Sequence, residues 1–449
     1  MKEESASQVK GEFPLAGIRV VDMSVVWSGT FTTMMLADMG AEVIRVENTR
    51  FAPYGTRGIM LRPSDSLLRT GGMATAGYPN REAGERPYNR AAMFNVHARN
   101  KLSMTVDYMQ PKGMQILKKL IGISDLFIEN SAYGVMERLG LGYRELRKIK
   151  PDIIMISMPA FGSGGPYADR VALGRHLECI TGHTLLRGYP DADPTWTTEI
   201  YHCDAAAGAM AAFAAMVALH YRQRTGIGQF IDVAQIETMI PQLGEVIMDY
   251  IMNGRIQEPL GNRHTWAAPC GLYPCRGEDR WIAITVFTDT QWQGLCGAMG
   301  YPAWAVQDKF ADSLGRWHSQ DDLDTHISDW TRQHEDYEIM HLLQGQGVPA
   351  GPLMDERDCY NDPHINERGF FEEVTHAECG THLYPGMEWK LSKTPASIRR
   401  PPCRLGEHNE YVYKTLLEVS DEEYAELERG GHIGMDYHPS IIIHGRAVL

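Results

Sequence analysis

Residues 14–47 read PLAGIRVVDMSVVWSGTFTTMMLADMGAEVIRVE, and this stretch decides the fold. Its segments IRVVDM and AEVIRVE are short β-branched runs, which predict two buried strands. Between them the spacing predicts a helix from about Thr30 to Asp38 that Gly40 ends. A strand, a loop, a helix and a second strand form the building block of a parallel sheet. The stretch lacks GxGxxG, so it carries no dinucleotide-binding fingerprint.

The alternation of strands and helices continues outward from this unit to about residue 160. Residues 94–107 predict a loop entering a strand, 111–122 a helix, 125–130 a strand, and IIMISM at 153–158 another strand. An open α/β sheet with helices on both faces follows from this order. Loops at the carboxyl ends of such strands face a ligand crevice, so Val25–Gly29 is a candidate binding loop.

The pattern changes after residue 225 and predicts a second domain. TGIGQFIDVAQIETM (225–239) reads as a turn, a short strand and a helix. WIAITV (281–286) predicts a strand, and 291–350 predicts helices. We therefore expect a large Rossmann-like domain over 1–225, completed by about 370–449 with a last helix at 421–429. Residues 226–369 then form a linker and a smaller α+β domain.

Composition excludes several classes of function. The chain has 449 residues and a formal net charge of −14, which argues against nucleic acid as a partner. No stretch of 18 apolar residues and no apolar signal core is found, so we expect no membrane span and a cytoplasmic protein. The eight cysteines form no CxxC pair and the 17 histidines no HExxH motif, so no metal site is predicted.

The candidate catalytic residue is Asp204, which directly precedes the apolar run 205–219. Ala, Leu and Met favour helix, so Asp204 is expected at or near the N-terminus of a buried helix about 15 residues long. A helix N-terminus favours a carboxylate, and the small residues that follow leave room for a ligand. Asp is also a common N-cap, so a purely structural role stays open. The neighbouring Cys203 is interpreted as a buried thiol.

Residues 51–95 are rich in Gly, Pro, Arg and Tyr and show little periodicity, which predicts a functional or disordered loop. Its arginines either meet an anionic ligand or lie in solvent; they are Arg57, Arg62, Arg69, Arg81, Arg86 and Arg90.

Several ordered motifs resemble the family III CoA-transferases, the carnitine-CoA-transferase-like or formyl-CoA transferase family. Besides 14–47, they are NKLSMTVD (100–107), DLFIEN (125–130), ERLGLGY (137–143), AFGSGGPYADR (160–170), RTGIGQFIDVA (224–234), GNRH…APCGLY (261–273), GVPAGPL (347–353), DPHINERGFF (362–371) and RPPCRLGEHN (400–409). The resemblance covers nearly the whole chain except 52–92, which is interpreted as an insertion.

The resemblance implies a fold, a nucleophile and a ligand. The fold is a large Rossmann-like domain joined by linkers to a small domain, in an interlocked dimer whose second chain is identical or a homologous subunit, as a heterodimer or heterotetramer. Asp204 matches the family's catalytic aspartate. Asn130 and Arg138 match residues that line the CoA site, and Val25, Val26 and Trp27 match the loop near the thioester. Trp27 shapes an apolar or aromatic acyl pocket, or is a plain core residue.

The implied reaction moves CoA from an acyl-CoA donor, with succinyl-CoA as the first choice, to a carboxylic acid through an aspartyl-CoA intermediate, without a metal. Oxyanion donors are expected at the helix start or in the Gly-rich loop 162–165. Racemases of the family use a His–Asp pair; here the matched positions are Leu173 and Gly174, with His176 displaced. Many transferases carry an acid at the position of Gly174, so a non-catalytic subunit is a further alternative. The composition of 51–95 favours an aromatic or dicarboxylic acceptor such as benzylsuccinate.

Overall fold

A computed structural model describes residues 13–53, 55–58, 60–70, 77–198, 200–439 and 441–444. These residues fall into two compact units. The first holds the described residues up to Thr181, those of Ile200–Glu245 and those from Arg368 onward. The second holds the described residues of Gly182–Glu199 and Val246–Glu367.

The strands of the described residues, in chain order, are β1 (Arg19–Asp22), β2 (Glu42–Glu47), β3 (Phe51–Pro53), β4 (Leu102–Thr105), β5 (Leu126–Glu129), β6 (Ile154–Ser157), β7 (Phe230–Asp232), β8 (Cys270–Pro274), β9 (Trp281–Thr285), β10 (Ala350–Pro352), β11 (Phe371–His376), β12 (Gly380–Pro385) and β13 (Ile442–His444).

The α-helices are α1 (Ser28–Asp38), α2 (Asp65–Thr70), α3 (Pro87–Arg90), α4 (Ala92–Ala98), α5 (Pro111–Gly122), α6 (Val135–Arg138), α7 (Tyr143–Ile149), α8 (Gly174–Ile180), α9 (His183–Leu186), α10 (His202–Thr225), α11 (Gln235–Met239), α12 (Gly244–Asn253), α13 (Asp289–Ala298), α14 (Ser313–His318), α15 (Gln320–Thr331), α16 (Asp336–Gly345), α17 (Glu356–Asn361), α18 (Pro363–Glu367) and α19 (Asp421–Arg429).

The first unit is built on a six-stranded parallel sheet in the order β4-β2-β1-β5-β6-β7. Helices α1 and α10 pack on one face through Leu36, Ala211 and Ala215. On the other face α5, α7 and α19 contribute Leu117, Leu146 and others. Because both faces are covered, strands β1, β2, β4, β5 and β6 are almost entirely buried, as is usual in parallel sheets, whereas the edge strand β7 is largely exposed. The α/β fold class predicted from residues 14–47 is confirmed.

Two sequence predictions for this unit need correction. Residues 92–98 form α4, not a loop, because Phe94 and Ala98 pack in a small cluster with Ala91 and Cys403. The boundary predicted after residue 225 also differs from the structure. Strand β7 pairs with β6 at the sheet edge, so the first unit runs on to Glu245, and the second unit takes in residues of 182–199.

The insertion at 52–92 is folded where the structure describes it. Arg57 is fully buried, forms an ion pair with Glu47 at 2.6 Å and lies over the ring of Phe94. Arg62 donates to the Tyr437 carbonyl, Arg86 pairs with Glu378, and Arg90 donates to the Glu82 and Glu378 carbonyls. These four arginines therefore hold the insertion against the C-terminal part of the chain, and neither the anion-ligand nor the solvated-loop interpretation describes them.

The second unit is a smaller α+β structure. Its antiparallel sheet has the order β10-β9-β8. Helices α13, α15 and α16 pack on it around a core that includes Ile282, Trp292 and Leu343. The predicted strand WIAITV and the predicted helices within 291–350 are both present.

Helix α10 is longer than the 15-residue run predicted for it. Over its 24 residues it is, within the described part of the chain, the one helix long and apolar enough to cross a membrane by length and composition. Half of its most apolar window is buried, and its alanine face packs on α1 and β6. This is the environment of a core helix in an α/β fold.

Candidate active site

Asp204 is the third residue of α10 and is only 9% exposed. The N-cap of the helix is Tyr201, so the interpretation of Asp204 as a mere N-cap is wrong. The backbone N–H of Ser28, the first residue of α1, lies close enough to the Asp204 carboxylate to lower the pKa of that group. The two helices approach closely at Gly208, where a Cβ would lie 2.8 Å from the Ser28 carbonyl oxygen. Close helix packing thus places the start of α1 against the carboxylate.

The surroundings of Asp204 make it an unusually basic carboxyl group. Burial raises its pKa to about 6, the Ser28 N–H lowers the pKa, and the charge of Glu178 raises it. At neutral pH the group is ionised and poorly solvated. A carboxylate in this state is a better nucleophile than one in water.

Gly174 lies in direct contact with this carboxylate. A Cβ at position 174 would come within 2.0 Å of Asp204 Oδ2, closer than any real contact. Gly174 is the first residue of α8 and is buried. The absence of a side chain at Gly174 therefore makes room for the Asp204 carboxylate. This is the position at which the family's racemases and many of its transferases carry an acid.

The loop between β1 and α1 is fixed by two side chains from other elements. Asn130, which follows β5, accepts the Val25 N–H at 2.6 Å and donates to the Val25 carbonyl at 2.9 Å and to Ser28 Oγ at 3.1 Å. Thr56 Oγ1, in the insertion, accepts the Val26 N–H at 3.2 Å. Val26 has φ +55°, a left-handed conformation that is rare and strained for a β-branched residue.

A cavity of about 560 Å³ opens in front of Asp204. Its wall is mostly apolar and includes Val25, Val26 and Trp27, three of the residues predicted for the thioester loop. Trp27 contacts the rings of Tyr201 and His97, each at 5.5 Å between centroids. Burial, with the nearby Lys101 charge, lowers the pKa of His97 to about 3, so its ring is neutral. Among the described lining residues the one cation is Arg170.

A second cavity of about 420 Å³, called the crevice below, adjoins the first at the carboxyl ends of β1, β2, β4 and β5. Val25 and Ser131 line both cavities. This is the point where the strand order reverses, since β1 lies between β2 and β5, and open α/β sheets bind ligands there. Asn130 lines the Asp204 cavity, whereas the predicted Arg138 lines neither; it lies on α6, whose Val135 and Met136 line the crevice.

Other predicted features fall outside the cavity. The loop 162–165 is not among its lining residues, so Ser28 N–H is the better oxyanion donor. Cys203 is buried, its Sγ donates to the Gln235 carbonyl, and burial raises its pKa to about 12. The described residues contain no group of three or more His, Cys, Asp or Glu side chains that could hold a metal ion.

Sequence reasoning missed Glu178, Thr56 and His97 as parts of the site, and it considered Gly174 only as a position that lacks the family's acid. One signal was present: Glu178 follows Gly174 by four residues, so both lie on one face of a short helix. The contacts of Thr56 and His97 depend on the fold of the insertion and α4, and no motif marks them.

The profile described as CoA-transferase family III matches residues 15–409. Succinyl-CoA–D-citramalate CoA-transferase of Chloroflexus aurantiacus is 33% identical over 92% of this chain and 97% of its own length. The β subunit of succinyl-CoA–L-malate CoA-transferase from the same organism is 31% identical over 92% of this chain and 96% of its own.

A solved structure has the same fold. The crystal structure of a CAIB/BAIF family protein from Brucella suis is 28% identical and superposes with a TM-score of 0.77. The match covers 90% of this chain and all of that one.

Proposed function

The chain belongs to CoA-transferase family III, and we propose that it transfers CoA from succinyl-CoA to a free dicarboxylic acid through a covalent intermediate on Asp204. The observation that carries this proposal is the buried Asp204 carboxylate at the wall of a mostly apolar cavity, next to a crevice at the switch point of the sheet. The relatives named above support the donor, since both carry succinyl-CoA in their names.

The crevice suits the nucleotide of CoA. Arg45 and Arg50 line it, and so does Gln110, the N-cap of the 12-residue α5. Arg45 is buried and lies 3.5 Å from carboxylate oxygens of both Asp22 and Glu47. Arg50 is therefore the better candidate for binding a phosphate. Guanidinium groups and helix N-termini both bind phosphate. We place the nucleotide in the crevice, with Arg138 at the rim of the crevice. The pantetheine arm then runs along Val25, Val26 and Asn130 towards Asp204.

The chemistry then proceeds in four balanced steps. An Asp204 carboxylate oxygen attacks the thioester carbonyl, expels CoA thiolate and leaves a mixed anhydride. The thiolate attacks the aspartyl carbonyl, which forms aspartyl-CoA and releases succinate. The acceptor carboxylate displaces the thiolate from aspartyl-CoA and forms a second anhydride. The thiolate attacks the acceptor's acyl carbonyl, which releases the new acyl-CoA and regenerates Asp204.

Two features of the cavity serve these steps. The Ser28 N–H contacts Asp204 and is positioned to stabilise an oxyanion that develops on the aspartyl carbonyl. The apolar wall, with Trp27, Val171 and Leu173, limits water near the anhydride and the thioester. Both intermediates hydrolyse readily, so exclusion of water preserves their energy for transfer.

The cavity also bears on the acceptor. Its apolar and aromatic wall accommodates a hydrocarbon or aromatic group. Arg170, whose Nε lies 3.6 Å from Asp169 Oδ1, offers a cation to a second carboxylate. We therefore propose a dicarboxylic acceptor with an apolar or aromatic substituent, of which benzylsuccinate is one example. A substrate panel of succinate, glutarate, citramalate and benzylsuccinate, with succinyl-CoA as donor, ranks the candidates by kcat/KM. No transfer to any dicarboxylate would contradict this assignment.

Chemical trapping of the covalent intermediate tests whether Asp204 is the nucleophile. The full-length protein is incubated with succinyl-CoA, treated with hydroxylamine or borohydride, and analysed by intact-mass and peptide mass spectrometry. We expect an adduct on Asp204 that is missing in Asp204→Asn and retained in Asp193→Asn, an exposed aspartate outside the cavity. An unmodified wild-type protein under these conditions would contradict the proposal and point to a non-catalytic subunit.

The racemase alternative requires a second base beside Asp204. Leu173 and Gly174 supply none, and His176 is exposed and uses Nδ1 to accept the Leu173 N–H at 3.1 Å. His97 lines the cavity, but its lowered pKa makes it a weak base. Incorporation of deuterium from D₂O into the α-carbon of an acyl-CoA would favour racemisation; its absence favours transfer.

A further inference from the structure

Glu178 is a buried carboxylate next to the nucleophile that the mechanism above does not use. It lies on α8 and is 1% exposed. Its Oε1 accepts the backbone N–H of His202, the first residue of α10, at 2.6 Å. Tyr201, the N-cap of that helix, makes no side-chain capping bond. Glu178 therefore caps the helix that carries Asp204 from outside it.

We propose, on the basis of the function proposed above, that Glu178 is a positioning residue for Asp204, which fixes the first turn of α10 and whose negative charge makes the neighbouring carboxylate more nucleophilic. Two carboxylates that share a buried site disfavour each other's ionisation. Nucleophilic strength of an oxyanion rises with its basicity, so the second charge favours attack on the thioester.

Glu178 is the charged group that the geometry singles out. Asp204 is packed against α1, which presents the Ser28 N–H, and against α11, which presents the amide Gln235. On α8, Arg175 and His176 are exposed, whereas Gly174 and Glu178 face α10. Across the cavity lie the exposed Arg170 and the neutral His97. On α10 itself Cys203 is a neutral thiol.

The direct test is a titration of the Asp204 carboxyl by ¹³C NMR, in full-length protein labelled with [γ-¹³C]aspartate and assigned with Asp204→Asn. Glu178→Gln keeps an oxygen that accepts the His202 N–H but removes the charge. We expect the Asp204 midpoint to move to lower pH by about half a pH unit. Glu237→Gln, the same change at an exposed residue of α11, is the matched control and should leave the midpoint in place. An unchanged midpoint in Glu178→Gln would overturn the proposal.

A second variant separates charge from capping. Glu178→Asp keeps the charge but shortens the side chain, so it should retain a midpoint near that of the wild type while Tm falls by a few degrees. A midpoint as low as that of Glu178→Gln would show that charge is not the cause. These NMR readouts do not depend on activity.

Activity is then measured as exchange of labelled succinate into succinyl-CoA. The acid limb of its pH profile should move with the NMR midpoint in Glu178→Gln; an acid limb that stays in place while the midpoint moves would overturn the kinetic role. Wild-type protein without exchange at any pH would count against the proposed function, whereas the NMR comparison would still decide the effect of Glu178 on Asp204.

Discussion

At the residue scale, the position of the Asp204 carboxylate depends on the missing side chain of Gly174. A methyl group at 174 would overlap Asp204 Oδ2, so Gly174→Ala must displace the carboxylate. A displacement of about 1 Å in a reacting group can reduce catalysis about 100-fold. We expect kcat/KM for succinate exchange to fall by that order with the fold retained. Gly164→Ala, where a Cβ meets no atom within 4 Å, is the control. Wild-type activity in Gly174→Ala would contradict the contact.

The raised pKa of Asp204 also predicts how stability depends on pH. The pKa is about 6 in the folded protein against an ordinary value of 3.8, so between these pH values the folded state binds more protons than the unfolded state. Stability conferred by this group is therefore present below about pH 4 and is lost as pH rises through 6. The difference of about two units corresponds to about 3 kcal/mol.

Asp204→Asn removes this ionisation, and we expect it to be more stable than the wild type at pH 7.5 by up to about 3 kcal/mol. The advantage should shrink towards pH 4. Urea unfolding of both proteins at several pH values measures it. A difference that stays constant with pH would show that Asp204 does not titrate in this range.

Sequence reasoning could identify Asp204 but not its immediate partners. An acid before a run of small apolar residues is visible in the sequence, and the resemblance implies a catalytic role for it. The Ser28 N–H and Gly174 come near the carboxylate, and Glu178 reaches the first turn of α10, only through the packing of α1 and α8 against α10. The sequence around a glycine or a buried acid does not indicate which distant residues it will contact.

At the element scale, the insertion braces the loop that leads into α1. Thr56 is buried, and its hydroxyl accepts the Val26 N–H while Val26 is held in a strained conformation. Thr56→Val has the same shape but leaves that N–H unpaired, which should destabilise the protein by about 1 kcal/mol and raise KM for succinyl-CoA several-fold. Thr56→Ser retains the hydroxyl and should behave as the wild type. Equal behaviour of the two variants would show that the bond is unimportant.

The elements that sequence predicted well are those whose pattern is local. Helices α5 and α19 begin and end at the predicted residues, and β1, α1 and β2 follow the order of residues 14–47. The insertion could not be predicted because its order comes from partners far away in the sequence: Arg86 pairs with Glu378, and Arg62 donates to the Tyr437 carbonyl. An ion pair between residues almost 300 positions apart produces no periodic pattern in the sequence from which it could be predicted.

At the scale of the whole molecule, parallel strand order assembles the site. Strands β1 and β5 are separated by about 100 residues in the chain yet lie side by side, so the loop after β1 meets Asn130 after β5. That meeting point lies between the crevice and the Asp204 cavity. Under the proposed function, a thioester bound in the crevice would reach Asp204 along this one loop.

The outer face of α10 bears on the assembly of the molecule. Opposite its buried alanines, the helix exposes Met210, Val217, Tyr221 and Phe213, the last of these 64% accessible. Adjacent large apolar side chains on one helix face are typical of a surface that another chain covers. The resemblance implies a dimer, and with this exposed apolar face we predict that the purified chain is at least a dimer.

Phe213→Glu tests this surface, because a charge in an apolar interface is poorly solvated. We expect light scattering after size exclusion to give at least twice the mass of one chain for the wild type and a shift towards monomer for the variant. Gln223→Glu adds the same charge at an exposed polar position near the end of α10 and should leave the mass unchanged. A wild-type monomer would contradict the prediction for identical chains, and its recovery as a larger complex on co-expression with a homologous subunit would assign the surface to a non-identical partner.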